Sequence, residues 1–231
     1  MDDLTILYYT ANNEPEGFLK RCQEKLLKTV GDTPIVSVSQ KPIDFGTERI
    51  CIGPVGMSLY NLYKQVLIAV RAAKTPYVAI AEDDMIYPHE HFEIRPKHIG
   101  YDLNKWAIFT WNHHVFSKRP GRRVMSMCTA PREMLLNTLE ERYAKYPTVE
   151  SIPERIYKYY WGEPGRFENH AGLTEIETER YECAVPSVAF FTSEAMGFLY
   201  LGTRKKLGPL QTEHLAPWGT AEEIYENYYR G

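Results

Sequence analysis

The feature that most constrains the fold of this chain is an apolar run that ends in three acidic residues. Tyr77-Val78-Ala79-Ile80-Ala81 does not alternate between polar and apolar side chains, and Glu82-Asp83-Asp84 follows directly. A strand without alternation is covered on both faces, as in a largely parallel sheet with helices on each side. The run therefore predicts a buried strand whose carboxyl end carries clustered negative charge.

The segments before this run alternate between strand and helix patterns. Residues 4–10 and 34–39 read as strands, and each is bounded by polar or turn-forming residues. Apolar side chains recur at helical spacing over 18–27 and 59–70, which predicts a helix before each following strand. We therefore expect an α/β protein with a mixed, mainly parallel sheet flanked by helices.

The second half of the chain has a less regular pattern. Residues 162–182 are polar and indicate an irregular, functional loop. The elements predicted around it are strands at 106–111 and 124–128 that could form a hairpin, helices at 132–146 and 151–161, a strand at 185–192 and a terminal helix opened by a Thr220-x-x-Glu223 capping box.

Composition narrows the class of protein. A chain of 231 residues fits one domain, and a formal net charge of −3 gives no overall field that would attract nucleic acid or an anionic membrane. The first residues lack a secretion signal and no apolar run approaches ~20 residues, so we expect a cytoplasmic protein. The four cysteines form no Cys-x-x-Cys pair that would indicate a zinc or redox site.

The acidic triplet Glu82-Asp83-Asp84 predicts a metal site. Three adjacent carboxylates repel one another after a buried strand unless a cation or hydrogen-bond donors compensate their charge. Hard cations such as Mn²⁺ and Mg²⁺ prefer carboxylate oxygens and retain room for water and substrate phosphates. We therefore expect Mn²⁺ or Mg²⁺ as the cofactor.

Over residues 4–92 the sequence resembles the nucleotide-sugar-dependent glycosyltransferases of the GT-A fold, most closely the family 2 type. The resemblance lies in the opening strand with its polar end, the helix before Tyr77, and Glu82-Asp83-Asp84-Met85-Ile86-Tyr87-Pro88. It implies one GT-A type catalytic domain over 1–231. Residues 1–100 would bind the nucleotide sugar, and 101–231 would bind the acceptor and include the C-terminal tail.

The resemblance also implies roles for particular residues. Asp84 would ligate the metal that bridges the donor diphosphate, while Asp83 would contact the ribose or share the metal, with Glu82 in support. The donor, a UDP-sugar, would further contact side chains at the ends of the first two strands. These donor-binding candidates are Thr10, Asn12, Glu14, Ser39 and Gln40.

Family 2-like enzymes take the proton of the acceptor hydroxyl with an acidic residue well downstream of the metal motif. Glu175, Glu177 and Glu179 lie at a comparable position, and Glu177 is the nominal base. A histidine near the C-terminus often completes the metal site, which makes His214 a second metal-ligand candidate. The basic residues at 204–206, Arg204, Lys205 and Lys206, could meet the diphosphate.

A basic segment in the second half suggests where an acceptor binds. Four positive charges in six residues, close to a pair of histidines, could follow a nucleic-acid backbone. The acceptor-binding candidates are His113, His114, Lys118, Arg119, Arg122 and Arg123. A hydroxylated base in DNA is one candidate acceptor, and such a base would have to leave the stack to reach the donor.

Two alternatives stay open at this point. His89-Glu90-His91 follows the acids, and His-x-His with aspartates can build the metal centre of a phosphoesterase or nuclease. A non-catalytic module that binds a nucleotide sugar would show the same motif without turnover. The sequence does not distinguish the sugar, the acceptor or the stereochemistry of transfer.

Overall fold

The computed structural model describes residues 1–193 and 206–231, and this part of the chain forms two main sheets. The larger sheet has seven strands among the described residues, in the order β3-β2-β1-β4-β9-β6-β10. They are β1 (Leu4–Thr10), β2 (Ile35–Ser39), β3 (Glu48–Cys51), β4 (Tyr77–Glu82), β6 (Ile99–Asp102), β9 (Cys128–Pro131) and β10 (Thr178–Tyr181).

The larger sheet is mostly parallel, as the sequence predicts. β1 pairs in parallel with β2 and β4, and β9 is the strand that runs in reverse between β4 and β6. The chain builds β2 and β3 on one side of β1 and then crosses to β4 on the other side. The carboxyl ends of β1 and β4 therefore flank a topological switch point, where ligands bind in open α/β sheets.

The smaller sheet has the order β12-β8-β7-β11-β5. Its strands are β5 (Met85–Ile86), β7 (Lys105–Phe109), β8 (Asn112–Lys118), β11 (Ser187–Phe191) and β12 (Leu210–Thr212), and β13 (His214–Leu215) pairs separately with β14 (Gly219–Thr220). Only Asp83 and Asp84 separate β4 from β5, so the acidic residues lie where the chain passes from one sheet to the other.

Two helices cover one face of β1, and a third helix together with the smaller sheet covers the other face. The described α-helices are α1 (Glu16–Val30), α2 (Leu59–Ala72), α3 (Arg132–Lys145), α4 (Glu168–Ala171) and α5 (Ala221–Tyr225). Leu7 and Tyr9 pack in a core with α2 and α3. Ile6 and Tyr8 pack on the other face with α1 and the smaller sheet. Both faces of β1 are buried, which explains its continuous apolar sequence.

Several predicted elements in the second half differ from the structure. The hairpin joins β7 to β8, and the predicted strand at 124–128 is a 3-10 turn, Met125–Met127, that precedes β9. The predicted helix at 151–161 is reduced to a short helical stretch ending in a π-helix, Ile156–Tyr160. A short apolar run has too few residues for its periodicity to distinguish a strand from a helix. This explains why a strand was wrongly predicted at 124–128.

The loop predicted at 162–182 contains α4 and β10, so it is more ordered than expected. The Thr220 capping box is confirmed, because the Thr220 hydroxyl accepts from Glu223 N while the Glu223 carboxylate accepts from Thr220 N. The larger sheet combines strands from both predicted halves, 1–100 and 101–231. No helix in the described ranges is long and apolar enough to cross a membrane.

A buried ion pair fixes the loop after the π-helix to α3. Arg142 Nη2 lies 3.1 Å from Glu168 Oε1, and the two side chains are 4% and 3% exposed. Arg142 Nη1 also donates to the carbonyl of Gly162 at 2.8 Å, and its guanidinium lies 5.0 Å from the ring centroid of Trp161. The pair thus anchors both ends of the segment between Gly162 and Glu168.

Replacing Glu168 by alanine should lower the free energy of unfolding by about 3–5 kcal/mol, because it leaves the Arg142 charge buried without its partner. The measurement is urea denaturation followed by circular dichroism. Glu226→Ala is the matched control, because its exposed pair with Arg230 is screened by water and should contribute little. Equal, small effects of both substitutions would contradict this role of the buried pair.

Candidate functional site

A cleft with a cavity volume of about 170 Å³ opens at the switch point of the larger sheet. Side chains at the carboxyl ends of three adjacent strands line it. Thr10 is the last residue of β1, Gln40 directly follows β2 and Asp83 directly follows β4. Asp84 and Glu14 line the same cleft. The structure thus brings together five of the residues that the sequence singled out for donor or metal binding.

β1 holds two of the three acids in place. The parallel register sets Tyr9 beside Glu82, and the Tyr9 hydroxyl donates a hydrogen bond to the Glu82 carboxylate. The Thr10 hydroxyl donates in the same way to Asp83. These two bonds offset part of the repulsion between the acids and fix the direction of both carboxylates.

Asp84 differs from its neighbours in its surroundings. Its Oδ1 atom is buried and has no hydrogen-bond partner among the residues that the structure describes. Its backbone carbonyl accepts from the N–H of Phe190 at 2.8 Å, which ties the residue to β11. A buried carboxylate oxygen without a donor is unfavourable, and a hard cation is one group that would compensate its negative charge. The donor set therefore fits Mn²⁺ or Mg²⁺.

The pKa values of the two aspartates reflect the same crowding. Burial raises the pKa of Asp83 to about 7, with the charges of Glu14 and Glu82 adding to the effect and the Thr10 hydrogen bond opposing it. Burial also raises the pKa of Asp84 well above its ordinary value, and Glu82, Asp83 and Glu14 raise it further. Without a compensating cation, the site resists full ionisation at neutral pH.

Polar side chains fix the walls of the cleft. Gln65 on α2 donates from Nε2 to the carbonyls of Thr10 and Val38, at 3.0 and 3.1 Å. The Gln40 amide accepts from the N–H of Gly56 at 2.9 Å and donates to its carbonyl at 3.0 Å. These bonds hold the ends of β1 and β2 and the loop before α2 in one arrangement.

Asn12 has a positioning role in this structure. Its Oδ1 accepts from the N–H groups of Gln40 and Lys41, both at 2.9 Å, and its backbone adopts a left-handed conformation with φ of 56°. Asparagine tolerates that conformation better than most residues. Asn12 and Ser39 do not line the cleft, whereas the donor-binding candidates Thr10, Glu14 and Gln40 do.

Within residues 101–193 and 206–231, the second half of the chain contributes three charged residues to the cleft: Lys105, Arg122 and Glu163. Arg122 was predicted to bind the acceptor, whereas Lys105 and Glu163 were missed. Glu163 is 8% exposed, and its Oε2 accepts from Arg166 Nη1 at 3.2 Å. The sequence signal for Glu163 is weak, because a single acid before Pro164 and Gly165 belongs to no motif.

The three predicted base candidates do not line the cleft. Glu179 accepts from the N–H of His98 at 2.8 Å, Glu177 lies 3.2 Å from His98 Nε2, and Glu175 is exposed. β10 runs in the same direction as β4, so its amino end lies at the sheet edge opposite the acidic triplet. Distance along the chain was a poor guide to position here.

The C-terminal candidates also lie elsewhere. His214 is exposed in the short β13–β14 pair and does not line the cleft. Arg204 and Lys205 lie outside the described residues, so their predicted contact with a diphosphate stays a prediction. Lys206 lies beside the basic segment, where its backbone carbonyl accepts from Arg119 Nη2 at 2.8 Å.

The basic segment makes contacts within the protein. Lys118 is buried and donates from Nζ to Asn104 Oδ1 at 2.9 Å. Arg123 donates from Nη1 to Thr178 Oγ1 at 2.9 Å. Two of the four predicted acceptor-binding cations therefore hold neighbouring segments together and do not form an exposed patch.

The two histidines predicted to bind the acceptor pack against the C-terminal helix. The ring of His113 stacks on Tyr225 with a centroid distance of 4.0 Å. His114 Nδ1 makes a hydrogen bond with the Glu222 carboxylate. Both side chains thus connect β8 to α5, and neither lines the cleft.

The His-x-His motif after the acids is divided between two environments. His91 is fully buried with Nδ1 3.3 Å from Asp102 Oδ2, and Cys183 completes a buried cluster whose ligand atoms lie within 4.8 Å of one another. His89 is exposed and lies 3.4 Å from Glu93. Neither histidine lines the cleft with the acidic triplet, so the described residues do not form the combined metal centre of the phosphoesterase alternative.

Comparison with known proteins identifies no family for this chain. No family model matches it, and no curated protein matches it. Among solved structures it is similar to the bifunctional IspDF from Campylobacter jejuni, at 8% identity and a TM-score of 0.40, over 78% of this chain and 50% of that one. This chain thus spans half the length of that protein.

A second similar structure is a nucleotidyl transferase from Methanothermobacter thermautotroptrophicus, Mth528. Its identity to this chain is 12% and the TM-score is 0.40, over 78% of this chain and 88% of that one. Likeness at this level does not establish a shared activity.

The raised pKa of Asp83 predicts how the stability of the cation-free protein depends on pH. An acid that binds its proton more tightly when folded stabilises the fold below its unfolded pKa, near 3.8, and loses that contribution as pH rises through about 7. In chelator, the free energy of unfolding of the wild type relative to Asp83→Asn should therefore fall between these pH values. Urea denaturation across the range measures it, and a constant or rising difference would contradict the shift.

Proposed function

We propose that this protein is a metal-dependent glycosyltransferase of the GT-A type, which transfers a sugar from a nucleotide-sugar donor, a UDP-sugar, to an acceptor hydroxyl. The observation that carries the proposal is the meeting of Thr10, Gln40, Asp83 and Asp84 in one cleft at the switch point, beside the buried, unpaired Asp84 Oδ1. A nucleotide diphosphate with its cation matches the position and the charge of this site.

The walls of the cleft suit a nucleoside. Leu59, Leu62 and Tyr63 provide an apolar side, while Thr10 and Gln40 lie at the strand ends nearby. Ligand sites commonly combine such an apolar lining with a few convergent polar groups. We assign the base and ribose to this part of the cleft and the diphosphate to the part near Asp83 and Asp84.

Asp84 would hold the cation, with Asp83 sharing it or contacting the ribose. Bound there, Mn²⁺ or Mg²⁺ supplies positive charge that stabilises the departing nucleoside diphosphate. Lys105 and Arg122 line the same cleft and bring two further positive charges to bind and orient the phosphates. In this proposal the aspartates bind the cation, and Lys105 and Arg122 bind the phosphates of the donor.

Direct displacement of the diphosphate also needs a group that takes the proton from the acceptor hydroxyl. We assign this role to Glu163, because it is a carboxylate from the second half of the chain that lines the cleft. Arg166 donates to Glu163 Oε2 and so fixes its orientation. Glu163 replaces Glu177 as the candidate base in this proposal.

Replacing Asp84 by asparagine should abolish Mn²⁺-dependent binding of UDP-glucose, because the amide removes the negative charge and keeps the shape of the side chain. Isothermal titration calorimetry, with Mn²⁺ and then with chelator, measures this. Asp44→Asn is the matched control, since Asp44 is exposed beside Arg49. Unchanged, metal-dependent binding by the Asp84 variant would overturn the assignment.

Replacing Glu163 by glutamine should preserve donor binding and slow the release of UDP from UDP-glucose, with water as acceptor, by about 10²-fold or more, the usual contribution of a general base. Glu177→Gln is the direct comparison, and it should leave this rate unchanged. The reverse pattern would restore Glu177 as the base. Donor binding without turnover in the wild-type protein would instead indicate a non-catalytic binding module.

A further inference from the structure

Three side chains that can ligate a metal meet in the core of the protein. They are His91 from a 3-10 helix (His89–Phe92), Asp102 at the end of β6 and Cys183, which lies just after β10. All three are buried, their ligand atoms lie within 4.8 Å of one another, and none of them lines the cleft. We propose that this cluster binds one Zn²⁺ ion. The site is separate from the acidic triplet and does not depend on the proposed function.

The chemical types of the three ligands select zinc. Zn²⁺ binds cysteine sulfur, histidine nitrogen and aspartate oxygen in proteins, whereas Mg²⁺ and Mn²⁺ prefer oxygen ligands. The charges match as well, because a thiolate from Cys183 and the carboxylate of Asp102 together balance the two positive charges of Zn²⁺, while neutral His91 adds none. A buried ion is tolerated when its charge is compensated, so a cluster of this composition suits the protein interior.

The spacing of His91 and Asp102 fits two ligands of one ion. Nδ1 of His91 lies 3.3 Å from Oδ2 of Asp102. A buried hydrogen bond from a ring N–H to a carboxylate is ordinarily about 2.7–2.9 Å long. Two ligand atoms that each lie about 2.0–2.1 Å from a tetrahedral Zn²⁺ are about 3.3–3.4 Å apart. The Cys183 sulfur lies within 4.8 Å of the other ligand atoms, against about 3.6 Å in bound zinc, so it would move by about 1 Å.

The imidazole of His91 has a nitrogen lone pair that no described donor uses. Its Nε2 atom is buried and has no hydrogen-bond partner among the residues that the structure describes. Its Nδ1 atom lies beside the Asp102 carboxylate, which is an acceptor. In either neutral tautomer the lone pair therefore faces no N–H or O–H group of the described chain. An unused lone pair on a buried polar atom is unfavourable, and a bound ion is one group that accounts for it.

Neighbouring groups already hold the three ligands in place. Oδ1 of Asp102 accepts from the N–H groups of Asn104 at 2.9 Å and Cys183 at 3.2 Å, which leaves Oδ2 beside His91. Asn104 Nδ2 also donates to the carbonyl of Cys183 at 2.8 Å. The ring of His91 stacks on Tyr87 at a centroid distance of 5.2 Å. Metal ligands in proteins are commonly oriented by such contacts.

The position of the cluster indicates a structural role for the ion. His91 follows β5, Asp102 ends β6, and Cys183 belongs to the segment between β10 and β11. A Zn²⁺ ion bound to all three would cross-link parts of the chain that are distant in sequence, and its binding free energy would add to the stability of the fold. Three protein ligands leave one position of a tetrahedral ion for a water molecule.

Co²⁺ is a spectroscopic substitute for Zn²⁺ that reports a bound thiolate directly, through a charge-transfer absorption band in the near ultraviolet. The full chain, refolded from urea with equimolar Co²⁺ and excess Mg²⁺, should show this band. Cys183→Ala should abolish it, whereas the matched controls Cys128→Ala, at another buried cysteine, and Cys51→Ala, at the exposed one, should keep it. His91→Gln should weaken Co²⁺ binding by about 100-fold or more, because losing a residue that only orients a ligand already costs about 10–100-fold.

Stability gives a second readout on the same proteins. Zn²⁺ should raise the urea midpoint of the wild type and of Cys128→Ala, and EDTA should reverse the rise, because an ion bound only by the folded state stabilises it. The midpoint of Cys183→Ala should not respond. Absence of the thiolate band in the wild type, a band that survives Cys183→Ala, or an equal response of these proteins to Zn²⁺ would overturn the inference. Asp84→Asn should leave the band unchanged, so failure of the donor site and failure of this site give different results.

Discussion

The repulsion among three carboxylates at the end of β4 is the constraint around which this site is organised. Glu82 and Asp83 each accept a hydrogen bond from a hydroxyl on β1, which the parallel register brings alongside. Asp84 has a buried oxygen with no such donor among the described residues. The pairing of β1 with β4 therefore closes the core and satisfies two of the acids, while Asp84, which lines the cleft, keeps one buried oxygen without a partner among the described residues.

Asp83 and Asp84 also connect the two sheets, because they join β4 to β5. β5 continues from Asp84 into the smaller sheet, and Phe190 on β11 donates its N–H to the Asp84 carbonyl. The second half of the chain thus packs against the acids and adds Lys105, Arg122 and Glu163 to the cleft. The cleft is in this way assembled from both halves, with Glu14, Asp83 and Asp84 from the first and Lys105, Arg122 and Glu163 from the second.

The sequence was most informative where local pattern decides position. The resemblance to GT-A enzymes implied that Thr10, Gln40 and Asp83 belong to one donor site, and the structure brings them into one cleft because the carboxyl ends of neighbouring parallel strands meet at one edge of a sheet. Glu163 could not be found in this way. Its loop is positioned by the buried pair of Arg142 and Glu168 and by a hydrogen bond from the Tyr101 hydroxyl to the Pro164 carbonyl, both of which are contacts between distant residues.

The sequence also did not show which of the charged side chains are exposed. The four cations at 118–123 resembled an exposed patch, but Lys118 is buried against Asn104 because β8 turns it inward. Proximity of the four cations along the chain therefore did not predict that they are exposed.

Electron paramagnetic resonance of Mn²⁺ tests the central claim most directly, because the six-line signal of free Mn²⁺ weakens when the ion binds a protein. On titration of the protein with UDP present, the signal should disappear with a stoichiometry of one ion per chain, and removal of UDP should weaken the binding. A free Mn²⁺ signal that persists at every protein concentration, with and without UDP, would contradict the account of Asp83 and Asp84 as a cation site.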